Sequence, residues 1–393
     1  MTAATPAEIS RPIRMAIVGS RGIPARYGGF ETFAQEIALR LADRGVEVTV
    51  FCEAKAGGRP VRYGKVRLEY VHAPFSGPLA RILYDLGSLC RTRSRYDVVY
   101  MLGYGSSFLC WIPRLFGSQV WINMDGLEWQ RSKWGRFAQC WLKTMEGIAC
   151  RIANRLIFDN GALGQAIADR RPKLPPSSVL AYGAPVVSKA PDVARVRTLG
   201  LEPGRYLLVV CRFEPENHLL EIVRAASQRE GGAPVVVVSS TAESTHWQRE
   251  VMAHAGPLVR FLGAVYDPVV LRALRYHCLA YLHGHSVGGT NPSLLEAMGC
   301  GNLVLAHDNP YNREVLGEMG RYFADESEFY DRLWDVERMS ERQRRMIGDG
   351  ARDRVINYYS WDSITDGYIS LLSEGLAHAK SPNLEAVRQA SSS

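Results

Sequence analysis

The stretch from Ile13 to Cys52 constrains this chain more than any other. It opens with IRMAIVG, an apolar run ended by a glycine, which reads as a buried parallel strand. A glycine-punctuated loop, SRGIPARYGGF, follows. In ETFAQEIALRLADRG the residues Phe33, Ile37 and Leu41, with Phe30 before them, recur at helical spacing, and Gly45 ends the helix. VEVTVFC is the next strand. A strand–loop–helix–strand unit of this kind starts a doubly wound α/β sheet.

The alternation continues through VRLEYV, DVVYML, QVWINM and RLIF, loosens around residues 183–200 into a linker, and starts again at RYLLVVCRF. APVVVVSS, VRFLG, CLAYLHG and NLVLAH complete the second series. After Asp325 the pattern is helical, and from Trp361 one face carries Ile364, Tyr368, Leu371 and Leu372. The expected fold is therefore two Rossmann-like domains, residues 13–185 and 201–360, with a cleft between them. A C-terminal helix over 361–379 is expected to pack back on the first domain. The first twelve residues and the tail after Lys380 read as loose segments. Ligands of such sheets bind at the carboxyl ends of the strands, so the chemistry is sought in the loops facing the cleft.

Charge separates the halves. Residues 1–190 hold 26 Lys/Arg against 14 Asp/Glu, whereas the whole chain has 47 against 40. The first half is thus suited to an anionic partner: nucleic acid, a membrane surface or a phosphorylated substrate. No helix-turn-helix, zinc-finger or RNA-binding signature accompanies the charge, so no nucleic-acid partner is expected. The eight cysteines form no CxxC pair and read as reduced, buried small side chains, so a cytoplasmic protein is expected. No apolar run reaches membrane-spanning length, and the N-terminus reads as no secretory signal.

The richest stretch follows the strand CLAYL: HGHSVGGTNPSLLEAMGCG. Gly288 and Gly289 let backbone approach a ligand, Thr290 follows, Asn291 caps a helix and Pro292 suits its first position. The amides opening that helix would meet a diphosphate. Leu295 and Glu296 lie one turn in, and the carboxylate can accept from both hydroxyls of a sugar ring. In the first half, Gly28 and Gly29 open the first long helix, with Glu31 beside them. Asp125 follows QVWINM, Asp159 ends RLIF, and Tyr182 ends SSVLAY before Gly183. All three fall where strands end at the cleft.

HSVGGTNPSLLEAM resembles the donor site of retaining GT-B glycosyltransferases of the family 4 type. GSRGIPARYGGFETFAQEIALRL and NMDGLEWQRSKW resemble a bacterial subgroup similar to rhamnosyltransferases of polysaccharide assembly. The likeness spans roughly residues 13–376. It implies a nucleotide-sugar-binding second domain, an acceptor-binding first domain and transfer with retention. The leaving phosphate would help to take the acceptor's proton. The family carries two glutamates eight positions apart; Glu296 is the second, and Gly288 stands where the first is expected. It also places an Arg and a Lys on the diphosphate. Arg212 fits the first, Asn217 stands at the second, and Arg21 or Arg26 would supply further charge. In FLGAVYD the backbone near Val265 and Tyr266 would line the base pocket.

The resemblance implies a donor such as dTDP-rhamnose, and a saccharide acceptor such as one carried on a polyprenyl diphosphate. Asp125 stands where relatives keep a histidine and is open to a hydrogen-bonding or base role. Asp159 is read as acceptor-hydroxyl ligand or base, and Tyr182 as a positioning group. No Asp-x-Asp occurs, so neither metal nor cofactor is expected. RSKWGRFAQCWLKTMEGIACRIANR, with Trp129, Trp134, Phe137 and Trp141 among basic residues, and LARILYDLGSLCRTRSR suit an anionic membrane face. The alternatives are a UDP- or GDP-sugar donor, a sugar-nucleotide epimerase, and an inactive nucleotide-sugar-binding scaffold. An NAD dehydrogenase is disfavoured because the first loop lacks GxGxxG.

Overall fold

The computed structural model describes residues 11–25, 28–54, 59–73, 77–240 and 245–380, with side chains through residue 374. Arg26 and the two terminal segments discussed above, apart from Arg11 and Pro12, lie outside the described residues. The first sheet contains β1 (Arg14–Val18), β2 (Glu47–Glu53), β3 (Arg62–Tyr63), β4 (Val66–Val71), β5 (Val98–Leu102), β6 (Gln119–Asn123), β7 (Arg155–Phe158) and β8 (Ser177–Val179). Their order is β3-β4-β2-β1-β5-β6-β7-β8, parallel except for the β3–β4 pair. The second sheet contains β9 (Leu207–Val210), β10 (Val235–Val238), β11 (Val259–Gly263), β12 (Ala280–His283), β13 (Val304–His307) and β14 (Gly320–Phe323). Its order is β11-β10-β9-β12-β13-β14, and every pairing is parallel.

Central strands such as VVYML and VVVV are buried on both faces, which is why they appear as unbroken apolar runs. Strands away from the centre escape that pattern, β3, β8 and β14 among them. All three are edge strands, and their sequences RY, SSV and GRYF carry polar or charged residues. The first helix, Gly29–Asp43, buries Phe33, Ile37 and Leu41 against the sheet.

The chain crosses between the sheets twice, side by side: Ala184 bridges Ser360 in parallel. Gly183 is needed there, because a Cβ would stand 2.4 Å from the Trp361 ring. The C-terminal helix, Trp361–Lys380, then lies on the first helix. The Phe33 ring meets both Trp361 and Tyr368, Arg40 lies 5.4 Å from the Trp361 ring centroid, and Arg44 pairs with Asp366. Its Ile364, Tyr368, Leu371 and Leu372 are buried.

The two sheets also meet through loops. Glu314 of the second accepts from the amides of Gly161 and Ala162, both at 2.6 Å, at the start of the helix Gly161–Arg170 of the first. A carboxylate there satisfies orphan donors and complements the helix dipole. The Ser132 amide donates to Glu216 Oε1 at 2.9 Å.

Candidate active site

The turn after β6 faces the loop after β12 at close range. Gly126 has φ +99°, and a Cβ on it would lie 2.8 Å from Gly288 Cα. Only glycine allows the backbones this close.

Asp125 sits in that turn with φ +31°, unusual for a residue with a side chain. The turn is held from beneath. Asn123 Oδ1 accepts from the Asp125 amide at 2.9 Å; the Tyr104 hydroxyl donates to the Gly126 carbonyl at 3.1 Å and accepts from the Glu128 amide at 2.9 Å. Tyr182 donates to Asp125 Oδ1 at 2.9 Å, and its ring packs edge-on against Phe33. Burial, helped by Glu128, pushes the Asp125 carboxyl up to about 7, against the opposing pull of Arg131, Tyr182 and Arg212. A carboxyl poised there can exchange a proton at neutral pH.

Asp159 follows β7 and is buried. Its Oδ2 accepts from the Thr290 amide at 3.1 Å, and its carbonyl accepts from the Thr290 hydroxyl at 2.5 Å. Its Oδ1 has no hydrogen-bond partner and lies so close to Gly289 that a Cβ there would be 1.8 Å away. Burial raises this carboxyl well above its ordinary value, and neighbouring Asp125 adds to the shift. In this arrangement Asp159 faces the second domain rather than open space, so it joins the domains where an acceptor ligand was expected.

The helix Pro292–Gly299 opens toward this seam. Asn291 caps it, accepting from the Ser293 amide at 2.9 Å, and the preceding Thr290 amide points at the first domain. Glu296 is half-buried and pairs with the buried Arg275 at 2.7 Å. Leu295 is wholly buried, so its side chain belongs to the core and only its backbone can contribute to a ligand site. Asn217 is likewise turned inward: Nδ2 donates to the Arg212 carbonyl at 2.8 Å and Oδ1 meets His285 Nδ1 at 2.9 Å. A backbone-fixing amide therefore takes the place where a phosphate-binding lysine would stand. Arg212 is half exposed and pairs with Glu214 at 3.2 Å. Val265 is half-buried and Tyr266 exposed.

Gly288 has φ +109°, which a glutamate could not adopt without strain. Arg131 and His285 flank that position, each 3.8 Å from where a Cβ would stand. Arg131 pairs with Glu128 at 2.8 Å and approaches Glu214 at 3.9 Å. Burial holds His285 well below its ordinary value. The neutral ring that gives its Nδ1 proton to Asn217 leaves Nε2 as an acceptor at Gly288. Neither residue was singled out in the sequence, although both lie within the stretches that carry the resemblance.

Across the first-domain mouth, Gly28 has φ +118° and Gly29 faces open space. Glu31 Oε1 accepts from the Arg21 amide at 2.9 Å, so it stabilises the loop that leads into the first helix. The expected membrane aromatics are partly spent elsewhere. Trp129 donates to the buried Glu146 at 2.9 Å, Trp141 to the Gly105 carbonyl at 3.2 Å and Trp134 to Glu128 at 3.4 Å. Phe137, in contrast, is 86% exposed.

Residues 13–185 match a family model described as a domain of unknown function, DUF1972, and residues 212–369 match one described as glycosyl transferase-like. No curated protein matches the sequence. Among solved structures, sucrose-phosphate synthase from Thermosynechococcus elongatus superposes with a TM-score of 0.80 at 16% identity, covering 94% of this chain and 100% of that one. HepE of Anabaena in complex with UDP gives 0.71 at 17%, covering 92% and 100%. A glycosyltransferase from Rickettsia africae gives 0.66 at 13%, covering 93% and 99%. These likenesses show the fold, which is GT-B. On this GT-B fold the second half, residues 212–369, is glycosyl transferase-like.

Proposed function

We propose that the chain transfers a sugar from a nucleotide-sugar donor, most simply L-rhamnose from dTDP-rhamnose, to a saccharide acceptor in the assembly of a bacterial surface polysaccharide. The observation that carries the reading is Asp125, a carboxyl pushed up to about 7 and held by Tyr182 in the seam facing the start of the helix Pro292–Gly299. The donor diphosphate lies at that helix opening with Arg212, and Glu296 faces the nucleoside sugar. The acceptor oxygen forms its bond to the anomeric carbon as the bond to the diphosphate breaks, with the electron pair leaving on phosphate. The acceptor enters on the face the diphosphate leaves, and Asp125, together with the leaving phosphate, takes its proton. Helix dipole and arginine stabilise the leaving group without a metal, and the family resemblance supports retention.

The test is a panel of dTDP-, UDP- and GDP-sugars with and without a lipid-linked saccharide acceptor. Acceptor-dependent release of the nucleoside diphosphate supports transfer. Donor isomerisation without acceptor supports an epimerase, and binding without turnover an inactive scaffold. Because Asp125 acts as a base in its ionised form, kcat/KM rises with pH through a limb centred near 7, the value in the ligand-free protein. A flat profile between roughly pH 6 and 8, the range such a base controls, contradicts the role.

A lipid-linked acceptor fits the surface around the helix Arg136–Ile152. Phe137 stands out beside Arg136, and Trp111 and Leu115 are exposed on the adjoining short helix, tied in by Arg114 to the Ile152 carbonyl. Among the described residues no helix is long and apolar enough to cross a membrane. The protein is expected to sediment with vesicles containing anionic lipid and to be released as salt is raised. Equal binding to neutral vesicles, or none to either, contradicts this contact.

A further inference from the structure

Beneath the Asp125 turn runs a buried polar chain that ends on the C-terminal helix. Asn123 Nδ2 donates to the Tyr100 hydroxyl at 3.1 Å, and the Tyr100 and Tyr368 hydroxyls are 2.8 Å apart. Both tyrosines are wholly buried and Asn123 nearly so. Polar groups in such surroundings must be bonded to one another or lose free energy. We propose that Tyr368 is a positioning residue for Asp125: through Tyr100 and Asn123 it fixes the turn that sets the carboxylate in the cleft. The inference rests on the reading of Asp125 as the base.

The chain has a direction. Asn123 can hold the Asp125 amide only through its carbonyl oxygen, which leaves its NH2 for Tyr100. Tyr100 must then offer a lone pair to Asn123 and send its own proton elsewhere. Tyr368 is where that proton goes. Without the Tyr368 hydroxyl, the Tyr100 proton has Asn123 as its remaining partner and calls for the amide oxygen. Turning the Asn123 amide to meet it would set NH2 against the Asp125 N–H, donor against donor. The turn, which already holds a positive φ, would loosen and admit water.

The same tyrosine ties this chain to the domain arrangement. Its ring packs on Phe33 and Tyr100, and its helix enters at Ser360, beside the first crossing of the chain. The C-terminal helix thereby carries the last hydroxyl of the chain that holds the turn. The other groups around Asp125 are Tyr182 at the end of the first domain; Glu128 and Arg131 in the loop after the turn; Arg212 of the second domain; and Tyr104 and Asp159 on neighbouring segments. None of them shares a hydrogen bond with the Tyr368 hydroxyl, whose partner is Tyr100.

The experiment is a pH titration of the full-length, ligand-free protein with carboxyl-¹³C aspartate, the Asp125 signal being assigned by its loss in Asp125→Asn. In the wild type the midpoint is expected near 7. In Tyr368→Phe it is expected to fall by about half a unit or more toward the ordinary carboxylate range, as the turn opens to water. Leu372→Ala removes buried side chain from the same helix without touching the chain, and is expected to keep the wild-type midpoint. An unchanged midpoint in Tyr368→Phe, or an equal fall in Leu372→Ala, overturns the positioning role and leaves the base reading intact. A wild-type midpoint near 4, about the ordinary aspartate value, overturns both.

Discussion

Asp125→Asn is expected to leave a folded protein that still binds donor and transfers almost nothing, with kcat down by about 10²–10⁴-fold, the usual contribution of a positioned general base. The amide matches the carboxylate in shape and can still accept from Tyr182 at the Oδ1 position, so the turn with φ +31° survives. What it cannot do is take a proton. Donor affinity depends on groups of the second domain and is expected to stay within a few-fold of wild type, about 1 kcal/mol or less. A drop in kcat with unchanged donor binding separates a proton-transfer role from a binding one. Wild-type kcat in this variant removes Asp125 from the mechanism.

Gly126→Ala is expected to act through the seam between the domains. A Cβ would stand 2.8 Å from Gly288 Cα and 3.5 Å from the Gly289 amide nitrogen, both backbone atoms that no rotamer change can move. The residue also has φ +99°, a conformation that costs an L-residue about 1–3 kcal/mol. Relief comes from pushing the lobes apart, which separates Asp125 from the helix opening at Pro292. Transfer is expected to fall at least about tenfold, since 1.36 kcal/mol of lost closure already does that. Small-angle scattering should show a larger radius of gyration. Gly231→Ala, where a Cβ meets nothing within 4 Å, should change neither measurement. A Gly126→Ala protein with wild-type dimensions and rate would mean that the two loops do not approach this closely during turnover.

The layered fold was readable because its central strands are buried on both faces, and such strands announce themselves as unbroken apolar runs. The edge strands β3 and β14 need only one neighbour and tolerate Gly and Arg, so their sequences RY and GRYF look like loops, whereas the edge runs containing β8 and β11, SSVLAY and VRFLG, were legible as strands. Site residues at strand ends, Asp125, Asp159 and Tyr182, were readable from position alone. Their division of labour was not. Asp159 finds Thr290 across 131 residues of sequence, and that pairing separates a domain-joining carboxyl from the one free to exchange a proton. No local pattern carries it. Asn217 and Leu295 show what packing adds. Their positions suit a ligand site, but packing turns both side chains inward. Tyr368 was legible only as one of four residues on an apolar helix face; its hydroxyl gains meaning when the C-terminal helix is laid over Tyr100.

The account stands on a nucleoside diphosphate lying between the domains at the opening of the helix Pro292–Gly299. A crystal structure of the protein with dTDP or UDP tests it most directly. The account predicts phosphate oxygens within hydrogen-bond distance of backbone amides in the Gly288–Asn291 loop, with the Arg212 guanidinium turned toward them. Nucleotide bound away from that loop, or the loop still sealed by Asp159 with nucleotide elsewhere in the crystal, would contradict it.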